Sequence, residues 1–129
     1  MTPSERKALD EFGSAVVREV YDRAIEFLQD TMTHGMKGIE PDPLHLAYRD
    51  LDAQSAAVVQ QFVVQAVDQT FAQFLHFFDV HSIPLRFKTS SGEEVDVRAV
   101  SDGLAAEPYN ERGWIAQFST FKDGIQVDD

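Results

Sequence analysis

A chain of 129 residues with 43% hydrophobic content and ten phenylalanines fits one folded domain around one core, and excludes an intrinsically disordered chain. The absence of cysteine excludes disulfides, thiol nucleophiles and thiolate metal sites. A net charge of -11, from 22 acidic and 11 basic residues, disfavours nucleic acid and anionic membrane as partners; it suits either a basic protein partner or plain solubility.

The amino terminus, MTPSERKALDEFG, carries charges where a secretory signal has its apolar core, so the cytoplasm is the expected location. Thr2-Pro3-Ser4-Glu5 then opens a first helix, with Thr2 as cap, Pro3 at the first helical position and Glu5 where a capping-box partner reaches back. Leu9, Phe12, Val16, Val20, Ala24 and Phe27 follow at spacings of three and four, which predicts a long amphipathic helix that fades near Thr33. Gly35 can take the left-handed conformation that closes it.

Two Gly and two Pro make residues 34–43, HGMKGIEPDP, a loop. The weak alternation of Leu44-His45-Leu46-Ala47-Tyr48-Arg49 favours a short strand over a helical turn. Asp50 or Asp52 caps the next element, whose carboxylate satisfies unpaired amides and sits well at the helix dipole.

That element, residues 52–79, is the spine of the chain. At 100° per residue, Gln54, Gln61, Gln65, Asp68, Gln69, Ala72, His76 and Asp79 gather in a narrow polar seam, while valines and phenylalanines fill the remaining arc. An apolar arc this wide predicts a central, mostly buried helix about 40 Å long. The recurring glutamines and Asp68 break any membrane-spanning stretch.

Period-two alternation over residues 83–88 and 95–99, joined by Ser90-Ser91-Gly92-Glu93, predicts a β-hairpin with Pro84 at an edge or a strand start. Residues 101–107 suit a capped helical turn closed by Pro108. Residues 110–121 suit a short helix capped by Asn110 and anchored by Trp114, with an acidic, fraying tail over residues 124–129. The expected fold is thus a single α+β domain over residues 1–129: two long helices packed with a small antiparallel sheet containing the hairpin, plus a short carboxyl-terminal helix.

No phosphate loop, nucleophile elbow or paired-histidine zinc helix occurs. The best chemical cluster is His76, Asp79 and His81, whose spacing at a helix end suits a divalent metal held by imidazoles and a carboxylate, or a structural role at that end. His34, Asp42 and His45 form a second set, and they converge only where the fold arranges it. No catalytic residue, metal or cofactor is assigned. Asp68, the only charge between Asp52 and Asp79, is either exposed on the seam or buried with a partner such as Arg49 or Arg98.

Val100-Ser101-Asp102-Gly103-Leu104, followed by Gly113-Trp114-Ile115-Ala116-Gln117-Phe118-Ser119, resembles the ending of small uncharacterised bacterial proteins, some similar in build to immunity proteins of toxin systems. The resemblance covers about a quarter of the chain and brings no catalytic residue with it. The resemblance leaves activity open, and acidity and small size fit the immunity idea; net charge and the lack of catalytic motifs point to a non-enzymatic module that docks a basic protein, and both long helices are available for a homodimer. The alternative is a small metal-dependent or hydrolytic enzyme using His76, Asp79 and His81.

Overall fold

Helix α1 begins where the sequence signals it: Thr2 Oγ1 accepts from the Glu5 amide at 3.1 Å, and Pro3 occupies the first turn. In this computed structural model, which describes residues 1–125, α1 runs over residues 3–34. Its α-helical segments Pro3–Val16 and Asp22–His34 are joined by a π-helical turn, Val17–Tyr21. Periodicity does not announce that turn. Its extra residue shifts the helical phase, and both Tyr21 and Asp22 end up buried. Gly35 closes the helix at φ 84, a conformation that favours glycine.

After the loop, Asp42 Oδ1 accepts from the Leu44 amide at 3.1 Å and Pro43 starts a second helix, α2, over Pro43–Arg49. The strand expected over residues 44–49 is therefore corrected to helix. A capped proline start outweighs weak alternation, and no strand of the two-stranded sheet lies beside it. The His45 ring reaches the Met32 carbonyl at 2.8 Å, and Gln60 Nε2 donates to the Tyr48 hydroxyl at 2.6 Å, so α2 bridges the two long helices.

Asp52, rather than Asp50, caps α3, Ala53–Val80, by accepting from the Ser55 amide at 2.8 Å. The spine exists as one unbroken 28-residue helix. Its burial is narrower than its apolar arc: Phe71 and Leu75 are fully buried, while Phe62, Phe74 and Phe77 face outward. Among the described residues, no helix is long and apolar enough to cross a membrane.

Strands β1, Arg86–Lys88, and β2, Glu94–Asp96, pair antiparallel with Phe87 opposite Val95. The second strand stops sooner than its alternation predicts, because Asp96 is used as a cap. Its Oδ1 accepts from the Leu85 amide at 3.1 Å and the Ala99 amide at 3.2 Å, which turns Val97–Val100 into a short helix, α4. A 3-10 turn, Leu104–Ala106, follows.

Helix α5 covers only Trp114–Phe118, so the longer helix expected over residues 110–121 is shortened. Asn110 closes a turn onto the Arg112 amide, at 3.0 Å, instead of capping the helix. The fraying expected of the tail falls largely on residues 126–129, which lie outside the described residues.

The core sits where these elements meet. Leu9, Val17, Tyr21 and Ile25 of α1 pack with Phe71 and Leu75 of α3, with Val97 and Leu104, and with Trp114, which is completely buried. Phe12 touches both Phe87 and Trp114 edge to face, at ring distances of 5.5 and 5.7 Å. Burying the indole contributes about 4–6 kcal/mol by area. The carboxyl-terminal segment is locked to α1 by Asp22: Ser119 Oγ donates to Oδ1 at 2.6 Å and the Thr120 amide to Oδ2 at 3.0 Å.

Gly13 makes the approach of Trp114 possible, since a Cβ at that position would lie 2.4 Å from indole atoms. Gly13→Ala therefore forces helix and indole apart. The expected loss is about 2 kcal/mol or more of unfolding free energy, read by urea titration of Trp114 fluorescence. A change below 0.5 kcal/mol would show that the contact carries little of the core.

Candidate functional site

The structure separates the best sequence cluster. His76, Asp79 and His81 all lie at the carboxyl end of α3, but His76 and His81 are exposed and Asp79 is turned inward. The two Asp79 oxygens accept from the Leu104 amide at 3.1 Å and the Ala105 amide at 3.0 Å, so the carboxylate caps the 3-10 turn. The His81 ring rests against Phe77 at 4.8 Å. Among the described residues, no group of three or more His, Cys, Asp or Glu side chains is placed to hold a metal ion.

The second set is brought together. His34, Asp42 and His45 line one 590 Å³ depression beside the loop. Each nevertheless already has a partner. His34 Nδ1 meets Asp30 at 3.0 Å, the His45 ring meets the Met32 carbonyl, and Asp42 accepts from the Met36 amide at 2.9 Å as well as from Leu44. Those amides, Met36 first, hold the Asp42 carboxyl below its ordinary range.

A third group forms at Asp68, which the sequence left open between exposure and pairing with Arg49 or Arg98. Its partner is neither arginine. Tyr21 donates its hydroxyl to Asp68 Oδ1 at 3.4 Å, and the Tyr109 hydroxyl reaches the Asp68 backbone carbonyl at 3.0 Å. Desolvation raises the carboxyl above its ordinary range, outweighing the Tyr109 and Tyr21 hydroxyls that favour the charged form. Burial and the facing carboxylate likewise push both phenols upward. The three residues line a 420 Å³ cleft with Gln65, Asn110 and Lys122, between α3 and the carboxyl-terminal segment. The tyrosines lie 47 and 41 positions from Asp68, and no spacing rule links residues so far apart.

Two further surface features lie apart from these clusters. Arg6 bridges Asp10 at 2.8 Å and Glu107 at 3.3 Å, which ties the start of α1 to the segment before α5. Between α1 and α3 lies a 390 Å³ groove with almost no polar lining, formed by residues that include Val20, Ala24, Ala66, Thr70 and Phe74. It opens toward the outward-facing phenylalanines of α3. No arrangement of nucleophile, base and orienting group accompanies either feature. Comparison of the chain with family models, with curated proteins and with solved structures finds no match.

Two predictions separate support from chemistry. Asp79→Ala uncaps the 3-10 turn and is expected to cost about 1–2 kcal/mol in chemical unfolding, whereas His76→Ala and His81→Ala change it by no more than about 0.5 kcal/mol. Asp68 has the opposite sign from a capping carboxylate. Its folded pKa lies above the unfolded one, so its favourable contribution is present at low pH and is lost as pH rises through the folded value. Asp68→Asn, which retains an acceptor for Tyr21, is therefore expected to melt at or above the wild-type temperature at pH 7. That advantage disappears below the carboxylate range, as thermal melts across pH would read.

Proposed function

We propose that this chain is a non-enzymatic protein-binding module that works as a homodimer and presents its acidic surface to a basic protein, in the manner of an immunity protein. The observation that carries the reading is how the carboxylates are used. Asp22, Asp42, Asp52, Asp79 and Asp96 each accept hydrogen bonds from backbone amides and thereby hold the fold. These five carboxylates serve the backbone, while the excess of acidic over basic side chains sets the field around the molecule.

A net charge of -11 on so small a chain attracts a basic partner and repels acidic ones, which favours rapid and selective encounter. On this reading the basic partner is a toxin. The His76, Asp79 and His81 enzyme alternative draws no support from a cleft, since two of the three side chains point to solvent and the third caps a turn.

The immobilised full-length chain is expected to retain a basic protein from a lysate of its source. That binding weakens steeply as salt rises from roughly 0.1 M to 1 M, over which the screening length falls from about 10 Å to 3 Å. Recovery of neutral or acidic proteins only, or binding indifferent to salt, overturns the proposal.

A further inference from the structure

We infer that a second copy of this chain covers the outward face of α3, with the two α3 helices antiparallel about a two-fold axis near Gln69 and Thr70. The inference rests on the homodimeric reading proposed above and names the surface that makes the dimer. Three phenylalanines of α3 are left open in the single chain: Phe62 at 66%, Phe74 at 59% and Phe77 at 50% exposure. At roughly 200 Å² of surface per ring side chain, these leave about 350 Å² uncovered. Val20, Val58 and Val80, also about half exposed, extend it. A stable interface takes about 800 Å² from each partner, so these rings supply somewhat under half of it and the rest of the outward face supplies the remainder.

Charge identifies the occupant. Between Asp52 and Asp79 the only charged residue is Asp68, and it faces Tyr21 and Tyr109 on the inward flank. The outward face of the helix therefore carries no Asp, Glu, Lys or Arg over about 40 Å. A basic protein finds nothing there to pair with. Two copies of a chain at -11 can meet there without bringing carboxylates face to face.

The spacing identifies the orientation. Val59, Phe62, Ala66, Gln73, Phe77 and Val80 fall along one stripe of the helix, and their positions are symmetric about the midpoint between residues 69 and 70. A two-fold axis at that midpoint sets Phe62 against Phe77 and Val59 against Val80, twice each, as an isologous interface requires. Ala66 and Thr70, small residues close to the axis, let the helices approach. The same arrangement keeps the two pairs of Asp50 and Asp52 about a helix length apart, whereas parallel helices would stack them. The groove beside Val20 and Phe74 then lies at the border of the contact and is roofed by the second copy.

Sedimentation equilibrium of the full chain at micromolar concentration is expected to give twice the 14.5 kDa chain mass. Phe62→Glu and Phe77→Glu, at positions open to solvent in the single chain, are each expected to weaken association at least about 30-fold, with the circular dichroism spectrum retained. Because the chain has no cysteine, orientation is read directly. Gln69→Cys or Thr70→Cys cross-links two copies under copper-catalysed oxidation, while Ser55→Cys, placed about 40 Å from its counterpart, does not. A wild-type chain that sediments at single mass, a dimer that survives both glutamate substitutions, or cross-linking at Ser55→Cys in place of the axial positions overturns the inference. Salt-sensitive capture of a basic protein by a single-mass chain would retain the binding reading while rejecting this interface. A dimer that captures nothing basic would do the reverse.

Discussion

One carboxylate sets how the long central helix is turned about its own axis. Asp79 accepts the amides of Leu104 and Ala105, and these bonds hold the end of the polar seam against the carboxyl-terminal segment. Higher up the same helix, Asp68 meets Tyr21 and Tyr109. With both seam carboxylates directed inward, the centre of the buried side falls on Phe71 and Leu75, and the far part of the apolar arc is carried to the surface. A rotation that buried Phe62 and Phe77 instead would expose the Asp79 bonds to water and strip the 3-10 turn of its cap. The outward phenylalanines thus follow from the same hydrogen bonds that position the core.

That constraint separates what the sequence revealed from what it concealed. The long helices were legible because each carries its own local signals: Thr2 and Pro3 at one start, Asp52 at the other, Gly35 at a stop, and apolar residues at helical spacing between them. The hairpin was legible from alternation and its Gly92 turn. Less legible were the segments in which one residue has two uses. Asp96 reads as the polar member of an alternating strand, yet its side chain starts a helix. Leu44 to Arg49 is too short for either period to dominate, so the cap at Asp42 decides. The π turn at Val17–Tyr21 leaves no mark, because an inserted residue only shifts the phase of an already broad stripe.

The direction of the central helix was illegible for a different reason. Hydrophobic periodicity measures which residues avoid water, and a core and an interface between copies satisfy it equally well. Only the long-range partners of the seam discriminate between them, and these are contributed by Tyr21, Leu104, Ala105 and Tyr109, distant in sequence from α3. The same holds for the candidate cluster. His76, Asp79 and His81 share a helix end, but adjacency along the chain places a carboxylate that caps a turn next to two imidazoles that face solvent.

Charge and apolar surface are consequently divided between different parts of the molecule. Carboxylates that touch the fold accept from backbone amides, from hydroxyls and from Arg6, and the outward face of α3 carries none. A chamber for catalysis needs titratable groups that converge yet remain uncommitted; in the cleft lined by Asp68, Lys122 and Asp123, the Asp68 carboxylate is desolvated and tied to tyrosine. Recognition needs less: a rigid scaffold, a field of one sign and a surface that excludes water. The segment from Trp114 to Thr120, anchored through Gly13 and Asp22, ties the first α-helix to the carboxyl-terminal part of the chain. On the proposed reading, self-association along the uncharged face would double the field presented to a basic partner, and the apolar and acidic surfaces would act together without competing for the same residues.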